Sequence, residues 1–345
     1  MTPGGARAFG LELDARFEIP GVEEAVDPGE GRAAPGVGDR AAANPAPRVL
    51  LELASHERLR ALSAGAAGER IAEVAGPDGR AAATIDSFGK AGFALWAEGF
   101  GSAWVDAAGT EVLCAPADLP SWRWQRFLTG QVIPFVAVLR GLEAFHASAV
   151  VADGRAIGIV ARSGHGKTTL ALELLLRERP FLDDDVLVVE SSAGGGLIAH
   201  PGSALANVRE DGRWLAERLV SAGLGRPLGT ADGETRVAVR RHPCAVPLGA
   251  LFLLDRTGAG GTLEIERLAP VEPRVLLAAT FNLALRSPDR LTRQLDVCAQ
   301  IAETVAVFRV GCPPEVEAPA LAGEILDAAS AREAASPATP EAASP

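Results

Sequence analysis

The 345-residue sequence predicts an α/β (or α+β) chain, with a phosphate-loop domain over its C-terminal two thirds and a small β-rich module before it. Three observations carry that expectation. Residues 161–168, Ala161-Arg162-Ser163-Gly164-His165-Gly166-Lys167-Thr168, form a glycine-rich loop between an apolar strand and an amphipathic stretch. A carboxylate run, Asp183-Asp184-Asp185, follows one short connection later. Ahead of Pro116 the chain reads as short alternating apolar runs broken by turn pairs, the pattern of strands.

In chain order, Phe9-Gly10-Leu11-Glu12-Leu13 alternates, so residues 1–20 supply an N-terminal strand of the β module. Residues 21–47, rich in Gly, Pro and Ala and without periodicity, read as a flexible linker or insertion. Over 48–118, runs such as Arg48–Leu53, Phe93–Trp96 and Ala103–Val105 lie between turn pairs at Asp78-Gly79 and Ala108-Gly109. These make up the small β-rich module.

The phosphate-loop domain spans 119–333. Trp124, Phe127, Leu128, Val132, Phe135, Val136 and Leu139 recur at helical spacing over 121–143, a helix that Pro134 should kink or split. Phe145–Val151 and Ala156–Val160 flank Asp153-Gly154, whose residue types suit a tight hairpin turn. The second of those strands runs straight into the loop. Leu170, Leu174 and Leu175 lie along one side of a helix over 168–177, ended by Pro180. An apolar strand at Ala250–Leu254, helices around 272–285 and 292–305, and a last helix over 319–332 follow. The Ala/Ser/Pro tail, 334–345, has no face to bury and is expected to be disordered.

With 48% apolar and 22% charged residues the chain is globular, and its net charge of −11 argues against broad nucleic-acid or anionic-membrane binding. Any phosphate site must therefore be local. No apolar run is long enough to span a bilayer and Met1–Arg7 lacks a signal core, so a cytoplasmic chain is expected. Cys114, Cys244, Cys298 and Cys312 show no CxxC spacing, which indicates neither zinc nor a disulfide framework; a buried thiol is expected at each.

A glycine-rich loop of this kind wraps an anion with backbone N–H groups. Ser163, Gly164, His165, Gly166, Lys167, Thr168 and Thr169 are thus expected to hold the phosphates of ATP, with Lys167 at the β/γ-phosphates and the Thr168 hydroxyl on Mg²⁺. The helix that starts near Thr168 points its positive end at the phosphate. Ala161 stands where such loops often begin with Gly, which is tolerated because the residue ends the strand. An Asp run is often only a solvated turn. Here Phe181-Leu182 and Val186–Val189 place it at the edge of a core, where adjacent carboxylates can divide metal binding and proton acceptance. His146 alone reads as an ordinary strand residue, although a strand leading into the loop brings its neighbours near the nucleotide.

Taken together, Phe145–Val151, the Asp153-Gly154 turn, Ala161–Leu170 and Leu182-Asp183-Asp184-Asp185-Val186 resemble the catalytic domain of HPr kinase/phosphorylase, and more closely its broader group of HPr-kinase-like serine kinases. Ile198-Ala199-His200-Pro201-Gly202 resembles a His/Tyr-Pro-Gly turn of that group. The resemblance covers residues 120–330 and implies a mixed sheet flanked by helices, related to the nucleotide domain of phosphoenolpyruvate carboxykinase. It also implies transfer of the ATP γ-phosphoryl to a serine of a protein or peptide. Residue by residue, Asp184 would be the base, Asp185 would hold Mg²⁺ or share that role, and His146 would stand with Lys167 near the transferred phosphoryl. The family's Glu-[Ile/Leu/Val]-Arg-Gly-Leu-Gly signature and its Gly-Arg-Pro-Gly-Arg-Asn segment are missing, Gly225-Arg226-Pro227 being only a fragment. HPr as acceptor and phosphorylase activity are therefore not implied. A small-molecule kinase and a non-catalytic ATP-binding regulatory module are the alternatives, and oligomeric state stays open.

Overall fold

The computed structural model describes residues 6–22, 46–64, 67–117, 121–256, 261–281 and 284–335. Most of the expected 21–47 linker and of the 334–345 tail lies outside the described residues. The architecture is mixed α/β, with large sheets flanked by helices.

Alternating runs in the N-terminal part build eight strands: β1 (Ala6–Ala8), β2 (Leu11–Ala15), β3 (Arg48–Leu53), β4 (Glu69–Ala75), β5 (Ala81–Ser87), β6 (Phe93–Ala97), β7 (Gly101–Val105) and β8 (Glu111–Pro116). They form one sheet in the order β1-β2-β3-β8-β7-β6-β5-β4. The single strand expected over Phe9–Leu13 is instead a hairpin. Phe9 and Gly10, at φ 56° and 74°, make its turn. Phe9 is held there because its N–H donates to the Pro201 carbonyl at 2.7 Å and its side chain is buried.

One face of this sheet carries α1 (His56–Ser63), started by Ser55, whose hydroxyl accepts the Arg58 N–H. On the other face, Leu11, Leu13, Val49 and Leu51 pack on α2 (Ser121–Phe127) and α3 (Ile133–Leu139). The helix expected over 121–143 is divided by a π turn at Leu128–Val132. Pro134 then falls in the first turn of α3, where its missing N–H costs least. The same apolar cluster takes in Val186 and Val188 beside the carboxylate run, so one continuous core joins the N-terminal sheet to the second sheet.

That second sheet begins with β9 (Glu143–Phe145), β10 (Ala147–Ala152) and β11 (Arg155–Ala161). Asp153 and Gly154, at φ 51° and 73°, make the tight turn between β10 and β11. Helix α4 (Lys167–Leu176) follows the loop, then β12 (Phe181–Asp183), β13 (Leu187–Ser191) and β14 (Leu197–His200). A separate three-stranded sheet, β15 (Leu205–Arg209), β16 (Gly225–Ala231) and β17 (Glu234–Val239), encloses α5 (Arg213–Ser221) in sequence. The chain ends with β18 (Val246–Asp255), β19 (Glu264–Arg267), α6 (Pro273–Leu277), α7 (Pro288–Thr304), β20 (Ala306–Gly311) and α8 (Ala318–Ala335). The second sheet runs β12-β10-β11-β18-β14-β13-β9, with β20 beside β18 and β19 beyond it.

Residues of β11 alternate between two cores. Ile157, Ile159 and Ala161 face α4, α5 and α8, while Ala156 and Val160 belong to the cluster containing α6 and α7. The helix expected over 272–285 shrinks to the five residues of α6, and the next begins earlier, at Pro288 after a Ser287 cap. In this Ala-rich chain composition overstates helix length, whereas the Ser-Pro start is a specific signal. Cys114, Cys298 and Cys312 are buried, but Cys244 is exposed in the turn before β18, where its carbonyl and N–H meet the His242 ring. Among the described residues no helix is long and apolar enough to cross a membrane.

Glu143 on β9 is a buried charge outside the site. Its carboxylate meets Arg290 at 3.3 Å and Arg293 at 3.1 Å, tying β9 to α7. Burial pushes its carboxyl upward while the two guanidiniums oppose that shift. Glu143→Ala would strip the carboxylate from a guanidinium whose side chain is only 3% exposed. A loss of ~3–5 kcal/mol is expected, readable as a lowered denaturant midpoint.

Candidate functional site

Strand direction gathers the motif residues on one edge of the second sheet. β10 is antiparallel to both β11 and β12, while β18 is parallel to β11 and β20 to β18. The carboxyl ends of β12, β11 and β18 therefore point the same way, and the start of β10 lies among them. Asp183 ends β12, Ala161 ends β11 and precedes the loop, and His146 immediately precedes β10. The carboxyl edge of such a sheet is where α/β folds place ligands.

His146 owes its place to a change of strand partner. Phe145 closes β9, which pairs with β13, and Ala147 opens β10, which pairs with β11. Between them, the His146 N–H donates to the Ala279 carbonyl at 2.7 Å.

In the loop, Gly164 and Gly166 take φ +81° and +87°, a conformation that residues with a Cβ rarely adopt. Gly166 caps α4 without any side-chain hydrogen bond, so the first-turn amides of Lys167, Thr168 and Thr169 have no side-chain cap. Ser163 is exposed, and Thr168 and Thr169 are half-buried. His165 is half-buried too, its N–H donating to the Arg162 carbonyl at 3.1 Å and its buried Nδ1 having no partner among the described residues.

Lys167 turns back over the strand end. Its Nζ donates to the Ala161 carbonyl at 3.0 Å and lies 3.1 Å from His146 Nε2. Burial lowers the Lys167 ammonium, while Asp185 and Asp184 pull it back up. Burial and then the Lys167 charge lower His146, with Asp185 opposing. Nε2 accepting from an ammonium requires a neutral ring with its proton on Nδ1.

The three aspartates differ in their contacts. Asp183 Oδ1 accepts the N–H groups of Asp185 at 3.0 Å and Val186 at 2.8 Å, and its Oδ2 accepts that of Ser203 at 2.7 Å. A Cβ on Gly202 would stand 1.8 Å from Asp183 Oδ2, so glycine is required beside it. These contacts fold the turn that presents the next two carboxylates. Asp184 Oδ2 accepts the Asn207 N–H at 3.0 Å, its side chain bonds the Thr168 hydroxyl, and its carbonyl accepts the Ser148 hydroxyl. Both Asp183 and Asp184 are 3% exposed, which rules out a solvated surface turn; Asp185 is half-buried.

Burial pushes Asp184 up to about 8, with the neighbouring Asp185 charge adding to it. Asp183 rises to about 7 for the same first reason, against its three amide donors. A carboxyl raised on folding binds more protons in the native chain than in the unfolded one. Its contribution to stability is full below the ordinary carboxylate range and is lost as pH rises through the native value. The ligand-free protein is thus expected to lose stability between about pH 4 and pH 8 from these groups. His146, lowered on folding, gives the opposite slope. The deciding comparison is with Asp184→Asn, whose denaturant midpoint should fall less over that window than that of the unchanged chain.

Two arginines at this edge carry no motif signal. A Cβ on Gly164 would lie 3.4 Å from Arg209 Nη1, and one on Gly166 would lie 3.4 Å from Arg256 Nη1. Arg209 ends β15 and Arg256 follows β18. For Arg256 a signal did exist: it closely follows a buried strand parallel to the loop's own strand. Ser148 and the Asn207 amide were equally hidden, because their roles arise only from pairing.

Among the described residues no group of three or more His, Cys, Asp or Glu side chains is arranged to enclose a metal alone. Mg²⁺ in nucleotide sites ordinarily takes one or two carboxylates together with substrate phosphates. The hydroxyl of Thr168 on the buried Asp184 carboxyl, next to Asp185, is a donor set of that kind.

No known protein family matches the chain by sequence, and no curated protein does. Among solved structures it is similar to the Hpr(Ser) kinase/phosphatase from Coxiella burnetii, at 13% identity over 55% of this chain and 98% of that one, with a TM-score of 0.30.

Proposed function

We propose that this chain transfers the γ-phosphoryl group of ATP to a hydroxyl, that of a serine on a protein or peptide. One observation carries the reading: Lys167, held between Ala161 and His146, shares a sheet edge with a buried carboxyl bonded to the loop hydroxyl of Thr168. The order of motifs resembling HPr-kinase-like serine kinases supports the choice of acceptor.

In this reading the loop amides and Lys167 take the phosphates. Phosphoryl transfer asks chiefly for positioning and charge neutralisation, which these groups supply. Thr168 and Asp184 would hold Mg²⁺, which when bound offsets the charge on the β- and γ-phosphate oxygens. Burial favours this division of labour over the one in which Asp184 is the base. Asp184 is enclosed and already bonded to Asn207 and Thr168, whereas half-buried Asp185 can meet an incoming hydroxyl. Asp185 then accepts the hydroxyl proton as the oxygen attacks phosphorus and ADP leaves. Neutral His146 keeps the Lys167 ammonium aimed at the phosphate.

The test is ADP release from Mg·ATP in the presence of host extract separated into macromolecular and small-molecule fractions. Release that depends on the macromolecular fraction is expected. Dependence on the small-molecule fraction would replace the acceptor class, and ATP binding without release in either would leave a binding module.

A further inference from the structure

We infer that Arg256 is a second phosphate-binding cation of this site, holding the part of the phosphate chain that stays with the nucleoside. The inference rests on the nucleotide reading above.

Its placement follows from the sheet. β18 runs parallel to β11 with Leu254 opposite Ala161, so Arg256 emerges level with the first residues of the loop. The head group is anchored because Nη2 donates to the Val316 carbonyl. Nη1 then lies 3.4 Å from the Cβ position of Gly166, the residue that caps α4. Phosphate oxygens beside the uncapped α4 amides would then meet Nη1, the arm turned toward Gly166, as acceptors of a charge-assisted hydrogen bond.

The side of the loop decides which phosphates. Lys167 is drawn toward the β10 and β12 side by His146 and sits within the field of Asp184 and Asp185. Arg256 stands on the opposite, β18 side. A phosphate chain along the edge therefore meets Lys167 at its transferred end and Arg256 at its retained end. Arg256 should then contribute alike to ATP and ADP affinity.

Calorimetric titration of the full chain with Mg·ADP and with Mg·ATP, without acceptor, tests this. Arg256→Gln is expected to weaken both by about 10-fold or more, the scale of one charge-assisted hydrogen bond, leaving their ratio unchanged. Arg256→Lys, which keeps the charge without the fork, should fall between and serves if the glutamine variant does not fold. Unchanged ADP affinity in the variants, or a loss confined to ATP, overturns the inference while the nucleotide reading stands. Failure of the unsubstituted chain to bind either nucleotide removes both.

Discussion

Lys167→Ala is expected to cut ATP-dependent transfer by at least ~10²–10³-fold, the scale of losing one preorganised electrostatic donor. Lys167 is only 6% exposed, and its ammonium is fixed by the Ala161 carbonyl and His146 Nε2. Its ordering is completed before substrate arrives, which is why removal should act on kcat as well as on KM. Lys167→Arg should rescue little, because a planar fork does not fit a point-charge site with two acceptors at 3.0 and 3.1 Å. Steady-state kinetics beside a melting curve separates this loss from misfolding. Near-normal turnover in a folded Lys167→Ala protein would remove the lysine from the mechanism.

Asp185→Asn should lower kcat by ~10²–10⁴-fold, the range for a positioned general base, with nucleotide affinity little changed. Asp184→Asn should act differently, weakening Mg²⁺-dependent nucleotide binding, since its carboxyl is tied to Thr168. The two substitutions thus distinguish base from metal-side carboxylate by their split between kcat and KM. If Asp184→Asn loses only kcat while Asp185→Asn loses binding, the roles are reversed.

The hairpin into the loop was legible because Asp153-Gly154 readily adopts the positive φ angles of a tight turn and apolar residues run on both sides of it. The loop was legible for the same kind of reason, its glycines and lysine being locally specified. Other features depend on contacts distant in sequence. Nothing near Asp183 announces that it would be a scaffold, because one of its donors is the Ser203 amide, twenty residues on. His146 reads as part of one strand over Phe145–Val151, but β9 and β10 serve different partners and leave it free to reach Lys167. The Phe9-Gly10 turn escapes alternation because a buried aromatic at positive φ is unusual and is fixed by Pro201. Arg209 reaches the loop through β15, which no local pattern encodes, whereas Arg256 follows the apolar run of β18, whose pairing with β11 is the part set by contacts distant in sequence.

Following the label from γ-³²P-ATP in the presence of the macromolecular host fraction decides whether this chain is a kinase. Acid-stable phosphoserine formed by the unsubstituted chain and absent with Lys167→Ala is the expected result. Label recovered only in ATP and free phosphate, with no phosphorylated acceptor while the nucleotide binds, would contradict a kinase.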